Sequence, residues 1–232
     1  MFSGIPEKLL RAEQNKEAAY SRLRTNIINN RPDWVKQLAT GKQKLTNALR
    51  AEGYAILTGE RRENVLAGLK KPSPKVLPAK GVVITSRLKK TEAIIGKMQR
   101  YGESLANMLD VWGYRVIVSD EHHLDRVASI LGDFWETPSP EELLLRGGTL
   151  EFEWFRDYRK RTHTGLSDAS SVKYDQAINM NRKADFAICE IQVMTYDLYW
   201  RAFVVHNNEE SHFKFANQRR KLLKKASGAG KG

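Results

Sequence analysis

Apolar residues recur at helical spacing in the first part of the chain and gather into strand-length runs after it. Over residues 7–69, Trp34, Leu38, Leu45 and Leu49 repeat at intervals of four or seven among Lys, Arg, Glu and Gln, which predicts helices. Arg31-Pro32-Asp33 reads as a stop and restart, and Gly53 and Gly59 punctuate the end of the region. Pro72, Pro74 and Pro78 remove backbone donors and fix φ, so a linker follows. Beyond it, β-branched or alternating runs predict strands over residues 81–85, 108–118, 149–155, 171–178 and 186–195. Between them, Ser86 reads as the N-cap of a helix carrying Leu88, Ile95 and Met98 on its core side. Residues 124–131, 141–146 and 196–206 predict further helical turns, the last aromatic-rich.

Strands separated by helices and ending in a hairpin predict an α/β (α+β) fold: a mixed sheet of about five strands flanked by helices, behind an N-terminal helical region. The expected organisation is residues 1–78 as helical region and linker, 79–212 as the main domain, and 213–232 as a basic helix and tail. The N-terminal helices are expected to pack on the sheet or to form an oligomerisation or regulatory face. There is no internal repeat.

Composition narrows the function classes. A hydrophobic content of 41% and a charged content of 28% are those of a globular chain, and no apolar run is long enough to cross a bilayer. The first residues do not read as a signal peptide, so a cytoplasmic setting is expected. The single cysteine, Cys189, excludes an internal disulfide and a multi-cysteine zinc site and reads as a small buried hydrophobe. A net charge of +12 favours polyanionic partners: nucleotides, RNA, DNA or an anionic surface. His122-His123 has no ligand partners at metal spacing and reads as surface. The Gly-Lys near the C-terminus follows a helix and lacks a following Ser or Thr, so it is not a phosphate loop.

Candidate chemistry begins in the run 186–195. Alternation puts Ile188, Glu190, Gln192 and Met194 on one side, a carboxylate and an amide inside an otherwise apolar strand. A carboxylate there needs a neighbouring cation, a metal or a cleft. Asp110 lies on another predicted strand, and Arg87, Lys89, Lys97, Arg115 and Arg156 are the available cations. Gly113 reads as a bulge turning Asp110 or Arg115 toward a common cleft. Two acids among such cations point to metal-assisted phosphoryl chemistry, because Mg²⁺ takes one or two carboxylates together with substrate phosphate oxygens.

Four segments in order make the chain resemble the synthetase domain of the RelA/SpoT family, ATP:nucleotide 3′-pyrophosphokinases. They are Ser-Arg-Leu-Lys at positions 86–89 with residues 94–98, Leu-Asp-Val-Trp-Gly-Tyr-Arg-Val-Ile-Val at 109–118, Arg-Asp-Tyr-Arg at 156–159, and Glu-Ile-Gln-Val-Met-Thr at 190–195. The resemblance spans roughly residues 82–206 and implies a nucleotidyltransferase-type sheet. It implies that Arg87 and Arg115 sandwich the adenine of ATP and that Lys89 and Lys97 hold its phosphates. Asp110 and Glu190 are implied as Mg²⁺ ligands, Glu190 also as the base for the acceptor's 3′-hydroxyl, with Gln192 supporting it. Arg156 and Arg159 are implied on the acceptor's phosphates. The family's acceptor loop has Gly-Tyr followed four residues after the Tyr by a His. Here Leu166 follows Gly165 and Ser170 takes the His position, forfeiting the roughly 1–3 kcal/mol of base–aromatic stacking. The implied reaction is transfer of pyrophosphate from ATP to GDP or GTP, giving (p)ppGpp. The alternatives are a toxin-like relative acting on another 3′-hydroxyl, of an adenine nucleotide or a tRNA end, and a non-catalytic nucleotide- or RNA-binding relative. A hydrolase-type cluster of His and Asp is absent from the sequence pattern, so degradation of the product by the same chain is not expected.

Overall fold

The computed structural model describes residues 7–68, 76–101, 111–132, 155–157, 159, 178–183 and 188–205. Its first element is a single 45-residue helix, α1 (Glu7–Ala51). The expected break at Pro32 does not occur. Ile27, Trp34, Leu38, Leu45 and Leu49 form one buried stripe, with Tyr20 and Leu23 packed against the same core. Pro32 and Ile28 sit on the exposed side, so the Ile28 carbonyl, which loses its usual donor to the proline, faces water rather than core. Burial of that stripe, about 1.5–3 kcal/mol for each large apolar side chain, outweighs one missing helical hydrogen bond.

After α1 come β1 (Ala55–Ile56), α2 (Gly59–Ala67), β2 (Gly81–Leu88), α3 (Thr91–Tyr101), β3 (Trp112–Val118) and α4 (Glu121–Gly132). Then follow β4 (Phe155–Asp157), β5 (Ile178–Lys183), β6 (Ile188–Thr195), the short α5 (Tyr196–Tyr199) and a π-helical turn, Trp200–Val204. The strands make one six-stranded mixed sheet in the order β1-β2-β3-β6-β5-β4. Its centre is the parallel pair β3–β6; β2 lies antiparallel on one side of it and β5 on the other. Four long strands with a two-residue and a three-residue edge strand agree with the expected sheet of about five.

Several boundaries differ from the sequence expectation. Ser86 does not cap a helix: β2 continues through Leu88, because residues 85–88 pair with β3 and Lys89 N–H still donates to the Val111 carbonyl at 2.8 Å. Long-range pairing overrides the local capping signal there. Gly113 is no bulge either, since it pairs in regular register with Arg87 on one side and Glu190 on the other. Arg156 and Asp157, beyond the end expected for that strand at 155, form β4, and the hairpin neighbour of β6, expected over 171–178, is described from Ile178 to Lys183. The expected strand residues 108–110, 149–154, 171–177 and 186–187, the turns at 141–146 and the tail 213–232 fall outside the described residues.

Each face of the sheet is covered differently. On one face α1, α3 and α4 close a core that includes Val82, Ile84, Tyr114, Val116, Cys189, Ile191 and Val193. The N-terminal helix therefore shares its core with the sheet. On the other face Val83, Ile117 and Met194 pack with Leu57 and Val65 from the β1–α2 region and with Tyr196, Leu198 and Ala202. This second cover reaches only part of the sheet, and Arg87, Arg115, Glu190 and Gln192 lie beside it.

Candidate active site

The strand β6 behaves as its alternation predicts. Cys189, Ile191 and Val193 are each 0% exposed in the first core, while Glu190 and Gln192 are half-buried on the opposite face. Register extends this face across the sheet. Thr85 of β2 pairs with Arg115 of β3, which pairs with Gln192. In the next row Arg87 pairs with Gly113, and Gly113 with Glu190. Alternation and pairing together thus bring a carboxylate, an amide and two guanidinium groups from three strands onto one patch. These residues line a small cavity with the backbone of Trp112, Gly113 and Tyr114 as part of its wall.

Gly113 is what keeps the two central strands close at this place. A Cβ at position 113 would lie 2.2 Å from the Glu190 carbonyl oxygen and 3.2 Å from Glu190 Cβ. No side chain fits, so the floor beside Glu190 is bare backbone.

The polar groups form a directed chain. Arg115 donates from Nε and Nη2 to Gln192 Oε1 at 3.3 and 3.1 Å. Gln192 in turn donates from Nε2 to Glu190 Oε2 at 3.2 Å. The arginine fixes which way the amide points, and the amide then presents its NH₂ to the carboxylate. The face of the Arg115 guanidinium lies over the Phe203 ring, with Cζ 3.8 Å from the centroid and 6.0 Å from that of Tyr199. Burial raises the Tyr199 hydroxyl above its ordinary pKa, while Arg115 and Arg62 pull the other way.

The structure gathers Arg87, Arg115, Glu190 and Gln192; of the other predicted residues whose side chains are described, Lys89, Lys97 and Arg159 are not in the cavity lining. Lys89 and Lys97 lie outside the cavity lining, Lys89 just beyond the end of β2 and Lys97 on α3. The helix start expected to present Arg87 and Lys89 is strand instead, so any role they have in holding phosphate comes from side-chain charge alone. Arg87 is exposed and makes no ion pair among the described residues. Position 156 falls in the row of Gln192 through Asn179, but its side chain lies outside the described residues. Asp110 and Leu166 also lie outside them.

Arg159 is placed elsewhere. Its guanidinium pairs with Asp157 at 2.8 Å, Asp125 at 2.5 Å and Glu121 at 2.7 Å. Asp157 pairs with Ile178, whose side chain belongs to the first core, and Asp125 and Glu121 belong to α4 on that same face. These carboxylates, Asp157 foremost, hold its pKa above the ordinary arginine value. Arg159 fastens β4 to α4 and does not face the cavity. His123, read as surface, places Nδ1 3.2 Å from the Tyr54 hydroxyl.

Sequence reasoning missed Thr85, Tyr199 and Phe203. Thr85 ends the expected strand, and with Arg87 read into a helix no strand face joins the two; β2 running through Leu88 is what joins them. Tyr199 and Phe203 stand four apart in a segment read as aromatic and helical, a spacing that puts both rings on one side. Nothing local pairs them with Arg115.

Among the described residues no group of three or more His, Cys, Asp or Glu side chains is arranged to hold a metal. No described helix is long and apolar enough to cross a membrane. A larger groove between α1 and α3, spanned by the Arg24–Glu92 ion pair at 2.7 Å, contains none of the predicted residues. No curated protein matches the chain. The family profile described as a region found in RelA / SpoT proteins matches residues 86–207. That span begins on β2, runs past the π turn and takes in every cavity-lining residue except Thr85, and it covers more than half the sequence: the chain belongs to the RelA/SpoT family.

Proposed function

We propose that this protein is an ATP-dependent pyrophosphokinase that transfers the β,γ-pyrophosphoryl group of ATP to the 3′-hydroxyl of a guanosine nucleotide, GDP or GTP, giving (p)ppGpp. The observation that carries this reading is the linked set Arg115–Gln192–Glu190 beside the exposed Arg87, on the open face of the sheet and within the family region. In the reaction the acceptor's 3′-oxygen attacks the β-phosphorus of ATP, the bond to the α–β bridging oxygen breaks, and AMP leaves. Glu190 takes the hydroxyl proton, since its carboxylate is the only described acid in the cavity lining. Gln192 orients that carboxylate. The guanidinium planes of Arg87 and Arg115 accept the adenine between them.

Glu190 and Asp110 are the donors for Mg²⁺. A half-buried carboxylate in the wall of a cavity suits a hard cation that retains water and phosphate ligands. When bound, Mg²⁺ supplies charge neutralisation for the transferring phosphates.

A second reading, a different 3′-hydroxyl such as that of an adenine nucleotide or a tRNA end, is favoured by Leu166 and Ser170 in place of an aromatic residue and a histidine, and by the +12 charge. Incubation with γ-labelled ATP, Mg²⁺ and in turn GDP, GTP, ATP and tRNA separates the two. Label on GDP or GTP is the expected result; label on tRNA or an adenine nucleotide supports the second reading, and no transfer to any acceptor overturns both. Glu190→Gln is expected to lower turnover by at least about a hundredfold while leaving ATP affinity within about threefold. Near wild-type turnover would remove Glu190 from its role as base.

A further inference from the structure

We infer that Phe203 is a positioning residue for nucleotide binding: its ring fixes the Arg115 guanidinium as a flat platform before the base arrives. The inference rests on the adenine-stacking reading of Arg115 given above. An arginine has a long, rotatable stem, and a loose guanidinium must be ordered each time a ligand stacks on it. Here two sides are already fixed. Gln192 Oε1 takes two of its N–H groups along one edge, and the Phe203 ring lies against its face at 3.8 Å, well inside the range of a cation–π contact.

The ring reaches this place through an unusual backbone. Val205 N–H donates to the Trp200 carbonyl at 3.0 Å, a five-residue step that closes the π turn. Such turns add a residue to a helical circuit and re-aim the side chains that follow. Tyr199, one circuit back, stacks on Phe203 with centroids 5.5 Å apart and planes 28° from parallel.

Residues N-terminal to the family region brace the turn on either side of Phe203. The Tyr199 hydroxyl donates to the Leu66 carbonyl at 3.2 Å. The Val204 side chain occupies the space above Gly68, where a Cβ would come within 2.3 Å of Val204 Cγ1. The α2 segment thereby gives the N-terminal region a role in the nucleotide site: it seats the turn that seats the ring that fixes the arginine.

A core-filling role for Phe203 would change stability and nothing else, so the test separates the two. Phe203→Leu and Phe203→Tyr are made in the otherwise unchanged chain and in an Arg115→Ala background. Melting temperature, affinity for Mg²⁺ with a non-hydrolysable ATP analogue, KM for ATP and for the acceptor, and the NMR resonance of the Arg115 Nε–H group are then measured. Phe203→Leu is expected to weaken the ATP analogue and raise KM for ATP by about threefold to fivefold, with acceptor KM unchanged. It is also expected to remove the ring-current displacement of the Arg115 resonance. Phe203→Tyr is expected to restore both, and in the Arg115→Ala background Phe203→Leu adds no further loss. Unchanged ATP affinity in Phe203→Leu, or an equal loss with and without Arg115, overturns the positioning role alone. If the unmodified protein binds no adenine nucleotide while the Arg115 resonance still responds to Phe203→Leu, the stack is real, but the ATP reading fails and the positioning role fails with it.

Discussion

Two arginines from the same stretch of resemblance have opposite fates here, and the difference is set by which face of the sheet each one meets. Arg115 projects from β3 into the open patch, where it donates to the Gln192 amide and lies over two aromatic rings. Arg159 meets three carboxylates on the α4 side and is neutralised by them. Removing its head group takes from Asp157, only 8% exposed, a cation that lies 2.8 Å away. Arg159→Met is therefore expected to lower stability by about 3 kcal/mol, read as a reduced midpoint in a urea titration, while ATP affinity stays within about twofold. A strong selective loss of acceptor or ATP affinity with unchanged stability would return Arg159 to the substrate. The resemblance implied a nucleotide contact for both, Arg115 on the adenine and Arg159 on the acceptor's phosphates. It did not show the acids of α4 arriving from elsewhere in the chain, so it had no means of telling the two apart.

At the scale of elements, two glycines mark the closest approaches that build the site. Gly113 lets β3 and β6 lie together beside Glu190, and Gly68, with φ of 62°, both ends α2 and admits Val204. Gly113→Ala forces backbone apart under Glu190, because the obstructing atom is a carbonyl oxygen that cannot rotate away. It is expected to destabilise the protein by about 3 kcal/mol or more and to abolish transfer in the labelled-ATP assay. Gly68→Ala pairs an unfavourable left-handed φ with a steric clash against Val204, and should reduce ATP affinity along with stability if the π turn seats Phe203. The sequence reading takes Gly113 as a bulge and makes no use of Gly68, which the structure places at the end of α2. At 113 the reason lies across the sheet, where a strand more than seventy residues away in sequence passes too close for a side chain. The same kind of non-local pairing carried β2 through Ser86, whose local chemistry favoured a helix cap.

Across the whole molecule, one sheet is buried on one side and half-covered on the other, and that asymmetry makes the site. The long helix α1, with α3 and α4, closes the first face with an apolar stripe. On the second face α2, α5 and the π turn stop short of the row that holds Glu190 and Arg87. The net charge of +12 favours the approach of a polyanion. Acceptor choice in the proposed reaction is tested at position 166, downstream of β4. Leu166→Tyr supplies a π face and is expected to raise kcat/KM for guanosine acceptors by about fivefold or more relative to other 3′-hydroxyls. An unchanged ratio among GDP, ATP and tRNA as acceptors would mean that position 166 does not meet the acceptor base.

The sequence alone determined the alternation of β6, and with it the pairing of an apolar face with Glu190 and Gln192 on the other side. It also determined the apolar stripe of α1 and the order of motifs that carries the family. Those features are periodic or local, so they are written in neighbouring residues. Tertiary structure alone decided that Pro32 leaves α1 whole, that Ser86 lies in a strand, that Arg159 serves α4, and that Phe203 lies against Arg115. Each of these is settled by what arrives from a distant part of the chain: buried area that outweighs a lost hydrogen bond, a strand that supplies partners, acids that claim a cation, or a ring set against a guanidinium.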